Sequence, residues 1–100
     1  MSTTALNATD IVTRLTQLNG EQAQGWRLID GALEKAYGLG NFYETMGFVN
    51  AVAFIANQQD HHPDLRVSYK QCVVRFNTHD VGGISERDFD CARRVDALLV

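Results

Sequence analysis

Residues 41–59 constrain this chain more than any other stretch, because they read as one helix that is apolar nearly all the way round. At about 100° per residue, Phe42, Met46, Val49, Ala53 and Ala56 fall in one stripe, while Phe48, Val52 and Ile55 fall in a second, roughly 90° or more away. A single sheet cannot cover both. Either one stripe faces a partner subunit, or a wide face is buried within one domain. Asn41 is placed to start the helix, with Glu44 at the spacing of a capping box in which Asn replaces the usual Ser or Thr.

The flanking segments supply the sheet. Before the helix, Trp26–Asp30 and Leu33–Leu39 read as strands joined around Asp30-Gly31, a pair suited to the positive φ angles of a tight hairpin; Leu33, Lys35, Tyr37 and Leu39 then share a face. After it, Leu65, Val67 and Tyr69 alternate with Arg66, Ser68 and Lys70, which predicts a third strand with one wet face. Cys72, Val74 and Phe76 alternate with Val73, Arg75 and Asn77 in a fourth, ending at Thr78-His79.

Two shorter helices complete the pattern. Over Asp10–Asn19, Ile11, Leu15 and Leu18 recur at helical spacing, with Thr9 as a possible cap and Gly20 past the end. After the break at Gly82-Gly83, Ser85 and Asp88 stand at capping-box spacing, and Phe89, Ala92, Val95 and Leu99 form an apolar stripe. Residues 1–6 carry nothing to tie them down and are expected to fray. The expected fold is α+β: a single domain over residues 7–100 in the order α-β-β-α-β-β-α, with a four-stranded antiparallel sheet and its helices packed on one face.

Composition narrows the function. The chain has 100 residues, 45% of them hydrophobic and 21% charged, enough for a real core, although a subunit partner would help a domain this small. A net charge of −3 with no Lys/Arg run argues against direct nucleic-acid binding. No apolar run approaches the roughly 20 residues that cross a bilayer, and no basic, then apolar, start resembles a secretory signal, so no membrane association and a cytoplasmic location are expected. Cys72 and Cys91 lack Cys-x-x-Cys spacing and read as buried, reduced thiols.

All three histidines lie between His61 and His79. His61 and His62 follow the long helix, His79 ends the fourth strand, and Pro63 pushes His62 toward an extended conformation, so the adjacent rings point in different directions. Imidazoles converging on one pocket can donate and accept protons near pH 7, which suits an elimination without a cofactor. A zinc site is the rival, but adjacent His61 and His62 are poorly spaced as two ligands on one helix.

His61-His62-Pro63 with Tyr69, His79 and Asp88 at these spacings resembles the signature of the pterin-4a-carbinolamine dehydratase family. The likeness runs from about Gly25 to the C-terminus and includes Asn41-Phe42 and Ser85-Glu86-Arg87-Asp88. It implies a hydro-lyase that dehydrates 4a-hydroxytetrahydropterin to quinonoid dihydropterin in tetrahydrobiopterin-type recycling, with no metal, nucleotide or flavin. His61, His62 and His79 would be the catalytic set, their acid and base roles not separable from sequence. Asp60, Asn77, Thr78 and Asp80, together with the histidines, would contact the pterin, partly through backbone groups.

The resemblance also implies a homodimer or homotetramer through the long helix and a sheet edge. Animal members additionally serve as the dimerisation partner of a homeodomain transcription factor, so a catalytically weak pterin-binding or partner protein is the alternative. Asp88 would orient His79 or another polar group, or act only as the N3 residue of a helix cap; Tyr69 reads as core or pocket wall. Where the family has an acidic or otherwise ionisable residue four positions before the first histidine, this chain has Asn57, expected on the same helical face as His61. Its amide can hydrogen-bond a histidine but supplies no charge, which implies reduced activity or compensation by Asp60.

Overall fold

The computed structural model describes residues 4–99. Its elements are α1 (Ala8–Asn19), β1 (Arg27–Ile29), β2 (Ala32–Gly38), α2 (Phe42–Gln59), β3 (Asp64–Val67), β4 (Gln71–Phe76) and α3 (Glu86–Asp96), with 3-10 turns at His79–Val81 and Ala97–Leu99. The strands form one antiparallel sheet in the order β1-β2-β4-β3. This is the α+β arrangement expected from the order of elements.

Alternation decides which face of the sheet is covered. Leu33 pairs with Phe76 and Tyr37 with Cys72, and these side chains, with Val74, are buried beneath the helices. On the opposite face Glu34 stands across from Arg75, 2.6 Å apart as an ion pair, and Arg75 in turn faces Asp64. Asp30 and Gly31 both have positive φ, 48° and 78°, the twist that a two-residue hairpin needs.

The long helix buries its second stripe. Phe48, Val52 and Ile55 enter the core with Thr45 and Ala56, each large apolar side chain contributing about 1.5–3 kcal/mol by leaving water. The first stripe is divided: Ala56 is buried, Val49 half-buried, and Phe42 largely exposed. The most open line is Tyr43, Gly47, Asn50 and Phe54, with Tyr43 88% and Phe54 54% exposed. Asn41 caps the helix, accepting the Glu44 N–H at 2.8 Å.

Several boundaries differ from expectation. The cap of α1 is Asn7, whose Oδ1 accepts the Asp10 N–H at 2.8 Å, and not Thr9, which lies inside the helix. Strand β3 stops at Val67, so Val67 and Tyr69 are exposed; Tyr69, at 62% exposure, stacks on Phe42 instead of entering the core or the pocket. Strand β4 stops at Phe76, and His79 opens a 3-10 turn instead of ending the strand. Leu99 lies in the C-terminal 3-10 turn, half-exposed, beyond the buried stripe of α3. Of the stretch expected to fray, residues 1–3 lie outside those described, while Leu6 donates its N–H to Ile84 O at 2.8 Å and packs on the core.

The end of α3 away from the histidines is held by one carboxylate oxygen. Asp96 Oδ1 accepts from Trp26 Nε1 at 3.1 Å, from Lys35 Nζ at 2.8 Å and from the Tyr37 hydroxyl. Burial, and then this hydrogen bond, pushes the Tyr37 hydroxyl far above its ordinary range. Burial also raises both thiols, Cys91 to about 11, with Asp88 and Asp90 adding to the effect.

Candidate active site

The candidate site begins where α2 ends. Asp60 caps the helix in the left-handed conformation, φ 49° and ψ 45°, and turns the chain out before Pro63. His61 N–H still reaches back to Ala56 O at 3.1 Å, but its side chain leaves the helical surface and enters the protein. There it is 7% exposed, with its ring parallel to Phe76 at a centroid distance of 6.0 Å.

A buried carboxylate receives it. Asp88, 0% exposed in the first turn of α3, accepts His61 Nε2 at 2.5 Å on Oδ1 and takes two donors on Oδ2: the Ser85 N–H at 2.9 Å and the Thr78 hydroxyl at 2.7 Å. Thr78 Oγ1 also lies 2.7 Å from Ser85 Oγ. Such charge-assisted contacts are the strong ones, and every buried side-chain polar atom among the described residues has a partner. Asp88 is therefore both the N3 residue of the α3 capping box and the carboxylate that orients His61, not His79.

His62 behaves differently. It is exposed, and its Nε2 lies 3.1 Å from Asn57 Oδ1. Asn57 thus pairs with His62 and not with His61, because the left-handed residue between them swings His61 off the face that Asn57 occupies. His79 is exposed at the start of the 3-10 turn, in a loop closed by the Thr78 N–H to Gly83 O bond of 2.8 Å.

These elements enclose a cavity of about 300 Å³ lined by Asp60, His61, His62, Asn77, Thr78, His79, Asp80 and Arg87. The three histidines meet there, together with the other residues named as substrate contacts, while Asn57 and Asp88 stand behind them. Arg87 is an addition that no spacing rule singled out; it donates from Nη2 to Asp60 O at 2.6 Å. A larger cavity of about 430 Å³ lies between the α1–β1 connection and β2, but it holds no histidine. Volume is not the deciding property; the smaller cavity concentrates groups able to exchange protons.

Fold and site together define a class: a small α+β domain whose cavity offers imidazoles and carboxylates where a helix and a strand end and a 3-10 turn begins. The chain belongs to the pterin 4 alpha carbinolamine dehydratase family, whose sequence pattern matches residues 4–98. It is 63% identical over 99 residues to a protein of Paracidovorax citrulli (strain AAC00-1) with the provisional name pterin-4-alpha-carbinolamine dehydratase, covering 95% of this chain and 81% of that one. A similarly named protein of Stenotrophomonas maltophilia (strain R551-3) is 56% identical over 79 residues, covering 77% of this chain and 68% of the other.

Solved structures agree on the fold. The crystal structure of a transcriptional coactivator/pterin dehydratase from Brucella melitensis superposes with a TM-score of 0.87 at 26% identity, covering 96% of this chain and 99% of that one. A pterin dehydratase-like protein identified as a RuBisCO assembly factor in the alpha-carboxysome shares the fold at a TM-score of 0.65 and 24% identity, covering 76% and 90%. Among the described residues no helix is long and apolar enough to cross a membrane.

Proposed function

We propose that this chain dehydrates a 4a-hydroxytetrahydropterin to the quinonoid dihydropterin by histidine acid/base catalysis, as a cytoplasmic step in recycling a tetrahydrobiopterin-type cofactor. In this elimination the C4a–O bond breaks and water leaves, while a ring nitrogen gives up a proton. One group protonates the departing hydroxyl and another accepts the proton. The observation that carries the reading is the meeting of His61, His62 and His79 at one cavity, with His61 held by a carboxylate through Nε2. That contact leaves Nδ1 as the ring atom of His61 free for proton exchange.

Binding follows from the same walls. The amide-like edge of a pterin is a donor and acceptor pattern that backbone and side-chain groups of residues 77–80, with Asp60, are chemically suited to match. The test is dehydration of a synthetic carbinolamine by purified protein. Wild type is expected to accelerate it, and His61→Ala or His79→Ala to lose about 10²-fold or more of the gain. A wild-type rate equal to the uncatalysed one would sink the reading.

Assembly as a homodimer or homotetramer through the long helix and a sheet edge is part of the proposal, supported by the open line of Tyr43, Gly47, Asn50 and Phe54. Two observations favour a second reading, a pterin-binding or assembly protein with weak turnover. The partner of His62 is the neutral amide of Asn57, and a neighbour sharing this fold is described as an assembly factor.

A further inference from the structure

We propose that Arg87 is a positioning residue that locks the corner at Asp60 and, through it, the paired histidines. Only the catalytic consequence of the lock rests on the acid/base reading above.

Among the described residues two non-glycine positions have positive φ, Asp30 and Asp60. Asp30 sits in a tight hairpin turn beside Gly31, where the geometry requires it. Asp60 has no such excuse, since glycine would end the helix there without a steric penalty. A strained residue in a cavity wall persists because its surroundings hold it.

The surroundings that hold it come from α3. Asp60 N–H bonds back to Ala56 and Asn57 carbonyls, so the last turn of α2 keeps one side of the residue. Its own carbonyl has left the helix, and Arg87 Nη2 donates to it at 2.6 Å. The next residue of α3 then takes the next residue of the corner, Asp88 receiving His61. Successive residues 87 and 88 thus fix successive residues 60 and 61, one by the backbone and one by the ring.

Among the described residues Arg27, Arg66, Lys70, Arg87 and Arg94 make no salt bridge, and of these Arg87 alone donates a side-chain hydrogen bond within the protein. Its short contact is with the carbonyl alone. A planar guanidinium carries direction as well as charge, which suits it to hold a peptide group at one angle. A misaimed corner would rotate His61 and His62 away from a bound substrate, and misplacement on this scale is costly to turnover.

A double-mutant cycle tests this with Arg87→Gln, Asp60→Gly and the pair. In ligand-free protein, Arg87→Gln is expected to move the imidazole NMR signals of both His61 and His62. Glycine accepts the left-handed conformation unaided, so in the Asp60→Gly background the same change is expected to move them less than half as far. In the dehydration assay Arg87→Gln is expected to lower kcat about tenfold with KM nearly unchanged. Unmoved histidine signals in Arg87→Gln, or equal displacements in the two backgrounds, would overturn the lock. If the Gln variant does not fold, Arg87→Lys is carried through the same cycle with the same criteria. If wild type shows no dehydration, the functional reading fails while the NMR arm still decides the lock.

Discussion

Asp88 holds His61 through Oδ1 at 2.5 Å while its other oxygen, Oδ2, caps the helix that carries it. Every partner of this carboxylate is a donor: a ring N–H, the Thr78 hydroxyl and the Ser85 N–H. An amide in its place must turn its NH₂ toward one of them. Facing His61, it requires Nε2 to accept, which moves the ring proton to Nδ1.

Asp88→Asn is therefore expected to keep the fold and the cap, to lose about 1–3 kcal/mol of stability, and to lower turnover by about 10²-fold or more through the wrong tautomer. Pterin binding should persist. Asp88→Ala removes the cap as well and should cost about a further 1 kcal/mol. Denaturant unfolding and the dehydration rate measure the two effects separately, and an unchanged rate in Asp88→Asn would remove Asp88 from the machinery.

Asn57→Glu places a carboxylate beside His62, where Asn57 now accepts at 3.1 Å. The expected result is a changed dehydration rate with an altered pH profile, because a charge replaces a dipole next to a titratable ring. Identical profiles for the two proteins would show that the missing acid is immaterial.

The features that could be read from the sequence are those set by local rules. Cys72, Val74 and Phe76 alternate because both neighbours of β4 are in register with it, and the Ser85–Asp88 spacing is a capping box. Alternation sets Tyr69 on the face of Leu65 and Val67, but β3 has left its ladder by then and alternation no longer reports burial. The partner of Asp88 was hidden by distance along the chain. The i, i+4 rule pairs Asn57 with His61, but it holds only while the helix continues; Asp60 ends the helix in between, and Asn57 meets His62. Arg87 stands within the Ser85-Glu86-Arg87-Asp88 stretch of the resemblance but shows no role there, since one arginine in a first turn looks like any solvated charge until its carbonyl partner is seen.

Alkaline pH should unfold the protein through its buried acids. Cys91 is raised from 9.0 to about 11, and Cys72 and Tyr37 are raised as well. A raised folded value means that the native state binds more protons than the unfolded chain above the unfolded pKa. The stabilisation is complete below about pH 9 and is lost as pH climbs toward 11. Urea unfolding at about pH 7, 8 and 10.5, two values below the unfolded pKa and one inside the interval, should show equal stability at the first two and a fall at the third. Cys91→Ala should flatten the fall, and a thiol reagent at pH 8 should label wild type only when it is unfolded.

Asp96→Ala should separate stability from activity. It strands the Trp26 N–H and the Tyr37 hydroxyl, both in buried side chains, and unpairs Lys35. A loss of about 1–3 kcal/mol is expected from the unsatisfied donors. Asp96 ends the helix on which Asp88 holds His61, about 12 Å away by helical rise. The dehydration rate at a temperature where the variant is folded should match wild type, and a large loss would mean that the two ends of α3 are coupled.

The open face of α2 carries the last prediction. Tyr43 and Phe54 lie on one line of the helix with Gly47 between them, beside a cavity of about 440 Å³ lined by Phe42, Tyr43, Met46, Gly47 and Asn50. Exposed aromatics flanking a notch are the pattern of a packing surface, and Phe54 makes little contribution to the monomer's own core. Phe54→Glu should therefore leave the monomer's fold intact, with a stability change within about 0.5 kcal/mol once protomers are separated. Buried against a second copy, the same carboxylate would meet apolar surface and its own symmetry mate. Light scattering should give wild type a mass of two or four chains and the variant a lower one. A wild-type mass of one chain would assign this face to something other than self-assembly.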